Sequence, residues 1–284
     1  MAQKNVILAE LEALNSLREL AESYEEIAAI RMQNIKDSVL KTRDFLADLS
    51  DVFVDLKSSY NREVKDLMSH LSKSKMLLVY LSSNGKLYGA VTQNTYNLFI
   101  KDLSRFNQNE TDILVIGQAG RELLQNSGIS WKFDYFEIPD TNVDVSHIRE
   151  LVSKFILYEQ VQVYYGKFDN VIRQNPIITS ITGETIFESE VTIPTPRDDR
   201  FIFEPTLEKI FHFFQTQITA NLFSQTLLEN QLARHASRVN AMEKALIHIE
   251  EEGRRLGKER NRIRHQVQNL KQLETISGLV LWQT

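Results

Sequence analysis

The sequence predicts an α/β protein in which a Rossmann-like α/β domain lies between two long terminal helices that pair as an antiparallel coiled coil. Three observations lead to this fold class. Residues 5–70 contain neither glycine nor proline, all five prolines fall within residues 139–205, and short apolar strands alternate with helices only in the middle of the chain. The predicted parts are residues 1–70 (N-terminal coiled-coil helix), 75–205 (globular α/β domain) and 206–284 (C-terminal coiled-coil helix).

The N-terminal helix is predicted from its apolar spacing. Apolar residues recur in steps of three and four from Ile7 to Leu56, which places them on one narrow stripe of a helix. At about 1.5 Å per residue, residues 5–58 would extend on the order of 80 Å. Because this exceeds the diameter of a small domain, the stripe needs a second covering element.

The C-terminal helix supplies that element. No proline follows Pro205, and a one-sided apolar stripe runs from Ile210 to Ile276. Gly253 and Gly257 each weaken the helix by about 1 kcal/mol without ending it. Two stripes of this kind cover each other in an antiparallel coiled coil.

The middle of the chain alternates between the strand and helix patterns, which favours a mostly parallel sheet. The predicted helices are TYNLFIKDLSRF, QAGRELLQNSG and SHIRELVSKFILYEQ, the last with Ser146 as its N-terminal cap. The predicted strands are KMLLVYLSS, DILVIG, WKFDYFEI and VQVYYGKF, followed by IITSIT and ETIFESEV, which are able to pair with each other.

Composition excludes several classes of function. The net charge of −5 gives no global basic field for nucleic acid. The absence of cysteine excludes disulfides, thiol catalysis and cysteine-ligated metal, and fits a reducing compartment. No apolar run reaches the roughly 18–20 residues of a transmembrane helix, and the start of the chain does not resemble a signal peptide.

Partial motifs do not assign a catalytic, cofactor-binding or metal site. The stretch IGQAG, residues 116–120, has only G-x-x-G where a dinucleotide fingerprint needs G-x-G-x-x-G, so a tight strand-to-helix turn is favoured. The stretch SSNGKLYG, residues 82–89, lacks the P-loop spacing, and the six histidines lack metal-ligand spacing. A small α/β enzyme with helical arms remains an alternative that requires a pocket near Gly85 or Gly117.

The densest charge run, EEEGRRLGKERNRIRH at residues 250–265, has two interpretations. A basic helix is able to bind nucleic acid, which leaves a coiled-coil scaffold or nucleic-acid adaptor as an alternative. The overall acidic charge instead favours a solvated helix face with i,i+4 ion pairs. The examples we predict are Glu250–Arg254 and Glu251–Arg255.

Several segments resemble the gamma subunit of F-type ATP synthases. YEEIAAIRMQNIKDS, residues 24–38, resembles the first-helix segment M-E-M-V-A-A-S-K-M-R-K, and RVNAM, residues 238–242, resembles R-M-x-A-M. FIFEP, residues 201–205, resembles Y-x-x-E-P. Near the end of the chain, Asn261, Arg262 and Arg264 fall on N-[KR]-x-R, and Glu274, Ser277 and Gly278 fall on E-I-x-S-G.

The chain also departs from the family pattern. SSNGKLYG stands where the family has S-D-R-G-L-C-G-G, and ARHASR stands for S-E-Q-A-A-R, so that Arg234 and His235 replace a Glu-Gln pair. These departures indicate a divergent or alternate branch. They leave the pumped ion, proton or sodium, open.

The resemblance implies a non-catalytic rotor shaft without a cofactor of its own. Such a shaft couples rotation of the membrane ion ring to ATP synthesis or hydrolysis on the beta subunits. The implied partners are the alpha and beta subunits of the catalytic hexamer, an epsilon-type subunit and the ion-translocating ring, and not nucleic acid. The implied location is peripheral, on the cytoplasmic face of a bacterial inner membrane.

The resemblance also implies which residues meet partners. The expected contacts with the catalytic hexamer are Arg31, Met32, Arg238, Met242, Asn261, Arg262, Arg264 and the apolar tip Leu279, Val280, Leu281 and Trp282, which would turn in an apolar sleeve. The expected contacts at the base are Arg43, Phe201, Phe203 and Glu204.

Overall fold

The computed structural model of the protein describes residues 2–59, 75–181 and 207–281. Two long helices lie at the ends of the chain, α1 (Ala2–Ser59, 58 residues) and α5 (Leu207–Leu281, 75 residues). Helix α5 continues through Gly253 and Gly257, as predicted, because a glycine weakens a long helix without removing its hydrogen bonds. The prediction of long terminal helices around an α/β domain is confirmed.

The elements between the two helices alternate as the sequence predicts. In chain order they are β1 (Met76–Leu81), α2 (Val91–Leu103), β2 (Thr111–Ile116), α3 (Gln118–Asn126), β3 (Asp134–Phe136), α4 (Val145–Phe155), β4 (Gln160–Phe168) and β5 (Gln174–Ser180). The predicted cap of α4 is wrong: Asp144 holds the N-cap position, and Ser146 lies inside the helix.

The sheet has the strand order β3-β2-β1-β4-β5. The first four strands are parallel, and β5 runs antiparallel to β4, so the sheet is mixed. The predicted strand IITSIT therefore pairs with β4. Its predicted partner ETIFESEV lies outside the described residues.

The core occupies both faces of the sheet. On one face, α4 and α5 pack against alternate residues of the strands, and the rings of Phe155 and Phe223 lie 5.0 Å apart. On the other face, α2 and α3 cover residues such as Leu78 and Tyr80, and Phe99 stacks on Tyr80. Strand β1 is buried on both faces, which explains its continuous apolar sequence.

The chain forms two compact units, to each of which both long helices contribute. One unit comprises Ala28–Arg238 and contains the sheet. The other comprises Met1–Ile27 and Val239–Thr284, in which Ile7, Ala21 and Leu256 are buried. Across the described part of the chain, no helix carries an apolar stretch long enough to cross a membrane.

Candidate functional site

Helix α5 fills the place where sheets of this type bind ligands. In the sheet, β1 lies between β2 and β4, so the strand order changes direction between β1 and β4. In open α/β sheets, ligands bind at such a switch point, at the carboxyl ends of the strands. Here Asn230 of α5 lies between β1 and β4. Its Oδ1 accepts a hydrogen bond from the Gly166 N–H at 3.1 Å, and its Nδ2 donates to the Leu81 carbonyl at 3.5 Å.

One helical turn further along α5, Arg234 forms a buried ion pair. Its Nη1 lies 2.6 Å from Asp140 Oδ1 and donates to the Ser82 carbonyl at 3.3 Å. Asp140 also accepts hydrogen bonds from the backbone N–H groups of Asn84 (3.0 Å) and Gly85 (2.7 Å). Burial raises the pKa of Asp140, but the Arg234 charge and the two N–H donors outweigh it and hold the pKa below its usual value.

Another turn along the helix, Arg238 binds the loop that follows β1. Its Nε donates to the Leu87 carbonyl at 3.0 Å, and its Nη2 donates to the Lys86 carbonyl at 2.8 Å. The ring of Tyr88 lies under both guanidinium groups, 5.0 Å from that of Arg234 and 3.8 Å from that of Arg238. Asn230, Arg234 and Arg238 are spaced four residues apart and therefore lie on one face of α5. We call these three residues the anchor stripe.

Glycine allows the loop to approach the helix. Gly89 has a φ of +62°, and a Cβ there would lie 2.5 Å from the hydroxyl oxygen and 2.7 Å from the carbonyl oxygen of Ser237. No larger residue fits without moving the loop away from α5. Gly89 and the anchor stripe therefore both keep the loop after β1 against α5.

His235 lies beside the stripe as a neutral, buried side chain. It is 1% exposed, packs edge-on against Tyr88, and its Nδ1 has no hydrogen-bond partner among the described residues. Burial, followed by the charges of Arg234, Arg238 and Arg31, lowers the pKa of His235 to about 4, against an opposing contribution from Asp140. The imidazole is therefore uncharged at neutral pH.

The segments at Gly85 and Gly117, where the enzyme alternative requires a pocket, make close contacts with other residues of the protein. Gly117 has a φ of +97°, and a Cβ there would lie 2.8 Å from the Ser83 backbone nitrogen, so IGQAG forms the predicted tight turn into α3. Gly85 is bound to Asp140. The described residues contain no cluster of three or more histidine or carboxylate side chains arranged for a metal ion.

The charge run on α5 includes two exposed ion pairs between residues of the run. The predicted pair Glu250–Arg254 is confirmed, at 2.6 Å. The predicted pair Glu251–Arg255 is wrong, because Arg255 Nε binds Glu252 at 2.7 Å instead. Glu252 lies three residues before Arg255, and residues three apart are neighbours on a helix surface just as residues four apart are.

The expected partner contacts fall in different environments. Arg31 is exposed and Met32 is half-buried. Arg238 is buried and donates a hydrogen bond to the loop after β1 of the same chain. In the other unit, Met242 is half-buried, and Asn261, Arg262 and Arg264 are exposed. The side chains of Arg43, Leu279, Val280 and Leu281, and the whole of Phe201, Phe203, Glu204 and Trp282, lie outside the described residues. All these contacts stay predictions.

A cavity of about 480 Å³ is lined by residues of α1, α4, α5 and the segment after β3. Its wall includes Arg31 and Asn34 of α1, Thr141 after β3 and Gln231 of α5. Gln231 is one turn from His235, and the charge of Arg31 acts on that imidazole. The predicted contact residue Arg31 thus lines this cavity and lies within electrostatic range of His235.

Comparison with known sequences gives a consistent family. The model of the ATP synthase family matches residues 4–278. The ATP synthase gamma chain of Chloroherpeton thalassium is 25% identical, with 98% of this chain and 97% of the relative covered. The ATP synthase gamma chain of Ruthia magnifica is 24% identical, with 86% of this chain and 87% of the relative covered.

Comparison with solved structures gives the same fold. A chain of the Euglena gracilis mitochondrial ATP synthase (OSCP/F1/c-ring, rotational state 3) superposes with a TM-score of 0.67 at 12% identity, covering 98% of this chain and 94% of that one. A chain of the Tetrahymena thermophila mitochondrial ATP synthase central stalk and c-ring superposes with a TM-score of 0.56 at 21% identity, covering 80% and 99%.

Proposed function

The chain belongs to the gamma family of ATP synthase subunits, and on that premise we propose that it is the central rotor shaft of an F-type ATP synthase. The observation that carries this function is the family match over residues 4–278, which includes the sheet and nearly all of both long helices. The shaft couples rotation of the membrane ion ring to ATP synthesis or hydrolysis on the beta subunits. It acts through contacts that differ with its angle, which is how one element biases the affinities of several sites.

The two long helices form the antiparallel coiled coil of this shaft. In the smaller unit, a hydrogen bond to Glu22 and the charges of Glu22 and Glu250 raise the pKa of Arg18. In the unit with the sheet, Arg31 acts on His235. Each of these two interactions between α1 and α5 supports the proposed pairing of the helices within its own unit.

The partners are the alpha and beta subunits, an epsilon-type subunit and the ion ring. Exposed apolar residues near the end of α5 support burial by the catalytic hexamer; they are Val267, Leu270, Leu273 and Ile276. We assign the base contacts to Arg43, Phe201, Phe203 and Glu204 by resemblance alone. The protein is peripheral, on the cytoplasmic face of a bacterial inner membrane.

Tagging the chain in its native host and purifying the complex tests this function. We expect the alpha and beta subunits to co-purify, and ATP to drive ion pumping in vesicles that contain the complex. Alpha and beta subunits that assemble without this chain would contradict the proposal. Stoichiometric micromolar ATP binding to the isolated chain would favour an enzyme, and salt-sensitive RNA or DNA binding would favour an adaptor.

A further inference from the structure

We propose that the anchor stripe is the torque-bearing joint of the shaft, with Arg234 as its central positioning residue. The stripe fixes the angle of α5 about its own axis relative to the sheet, so that rotation of the globular part is passed to the helix. This inference rests on the proposed function. It assigns that function to three side chains within one compact unit.

The joint holds the helix at three separate elements. Asn230 binds Gly166 of β4, Arg234 binds Asp140 after β3, and Arg238 binds the loop after β1. The three anchors are spaced over eight residues, or about 12 Å along the helix. Because they lie on one face, turning α5 about its axis would move all three sideways together.

Directional contacts distinguish this joint from ordinary packing. The apolar contacts of α5, such as Phe223 on Phe155, are non-directional and resist turning weakly. The arginine contacts are charge-assisted hydrogen bonds with defined geometry. The side chains of Arg234 and Asp140 are only 6% and 17% exposed, so water cannot readily replace one partner when the pair is pulled apart.

The absence of cysteine allows a covalent substitute for the joint. A Cβ at Gly166 would lie 3.6 Å from the Cβ of Ala233, within the roughly 3.5–4.5 Å range of disulfides. The same Cβ would lie 2.5 Å from Val91 Cγ2, so the reference chain carries Val91→Ala together with Gly166→Cys and Ala233→Cys. Arg234→Ala is then added to this reference.

The readout is coupling, measured in assembled complexes in vesicles. ATP turnover is measured together with the ATP-driven membrane potential, which a potential-sensitive dye reports for either ion. Under reducing conditions, we expect Arg234→Ala to keep ATP turnover within about two-fold of the reference and to lower the potential generated per ATP several-fold. Oxidation to the disulfide should restore coupling, and dithiothreitol should remove it again.

The matched control is Arg105→Ala, which breaks the pair between Arg105, itself 69% exposed, and Asp102 on the same unit. It should leave coupling unchanged. Asp140→Asn, which removes the charge and keeps the shape, is measured in parallel in case Arg234→Ala does not fold. It should also uncouple the complex in a disulfide-reversible way.

Two results would overturn the proposal that the anchor stripe is a torque-bearing joint. Full coupling of a folded Arg234→Ala or Asp140→Asn complex under reducing conditions would show that the stripe bears no torque. Uncoupling that the oxidised disulfide fails to repair would show that the angle of α5 is not what the stripe controls. Failure of the unsubstituted chain to assemble with alpha and beta subunits would instead count against the proposed function itself.

Discussion

The guanidinium of Arg238 lies 3.8 Å from the ring centroid of Tyr88 while it donates to the carbonyls of Lys86 and Leu87. The planar guanidinium of Arg238 thus contacts the loop in two ways: it lies over the Tyr88 ring, and its N–H groups donate to the loop backbone. A lysine ammonium carries the same charge but has neither the fork nor the flat face.

We therefore expect Arg238→Lys to lower the free energy of unfolding by about 1–2 kcal/mol, from one lost hydrogen bond and a weaker cation–π contact. Urea denaturation of the isolated chain measures this change. Arg149→Lys, at an exposed position of the same unit, is the control and should stay within about 0.5 kcal/mol. Equal effects of the two substitutions would contradict the assigned contacts.

Elements with a strong local pattern were predictable from the sequence. The continuous apolar runs of β1 and β2 predict strands that are buried almost throughout, and the three- and four-residue apolar spacing of α1 and α5 predicts helices. The end of α4 that holds the cap was less predictable, because Asp144 and Ser146 are both good caps and the choice depends on how the preceding loop enters.

The anchor stripe was not predictable in this way. Arg234 and Asp140 are 94 positions apart, and only the sheet topology brings them together. In the sequence, Arg234 and His235 differ from the family pattern, and no motif points to Asn230, Tyr88 or Asp140. The four-residue spacing of the stripe was the available signal, but a long helix offers many such spacings.

Acid should weaken the protein through His235. The unfolded chain takes up this proton near pH 6.5, whereas the folded protein takes it up only near pH 4. The contribution is therefore complete above pH 6.5 and is lost as the pH falls towards 4. Between pH 7 and 5 we expect a loss of about 2 kcal/mol in the free energy of unfolding.

The measurement is urea denaturation at both pH values, with His235→Gln as the comparison. The glutamine variant should lack most of this pH dependence. Asp140 does not confuse the result, because its lowered pKa places its own loss of stability at more acidic pH. Identical pH slopes for the two proteins would show that the imidazole is not held neutral by the fold.

Close packing of β4 against α2 predicts a compensating pair of substitutions. A Cβ at Gly166 would lie 2.5 Å from Val91 Cγ2, so Gly166→Ala should cost about 1–3 kcal/mol through overpacking. Val91→Ala removes the obstructing methyl group. Thermal unfolding of the single and double variants should give a double variant more stable than the sum of the single effects predicts; strict additivity would rule out the clash.

Two glycines should respond oppositely to alanine. At Gly117, the positive φ and the Ser83 backbone leave no room, so Gly117→Ala should cost about 2 kcal/mol or more. At Gly253, inside α5, an added Cβ meets no atom within 4 Å, so Gly253→Ala should stabilise the helix by up to about 1 kcal/mol. Hydrogen exchange resolves the two units separately, and a change of the same sign at both positions would contradict the described environments.

The exposed apolar residues near the end of α5 should matter only in the complex. Leu270 and Leu273 are 60% and 61% exposed, so Leu270→Ser with Leu273→Ser should change the free energy of unfolding of the isolated chain by less than about 0.5 kcal/mol. In the complex, each leucine contributes up to about 1.5–3 kcal/mol when a partner buries it. We therefore expect dissociation of the chain from alpha and beta subunits to become at least ten-fold faster.

Leu256→Ala is the matched contrast: Leu256 is buried within the same unit, so this change should destabilise the isolated chain by about 2–5 kcal/mol. If the serine variant dissociates no faster than the unchanged chain, those leucines do not lie against the catalytic hexamer, and the contact surface must be sought elsewhere on α5.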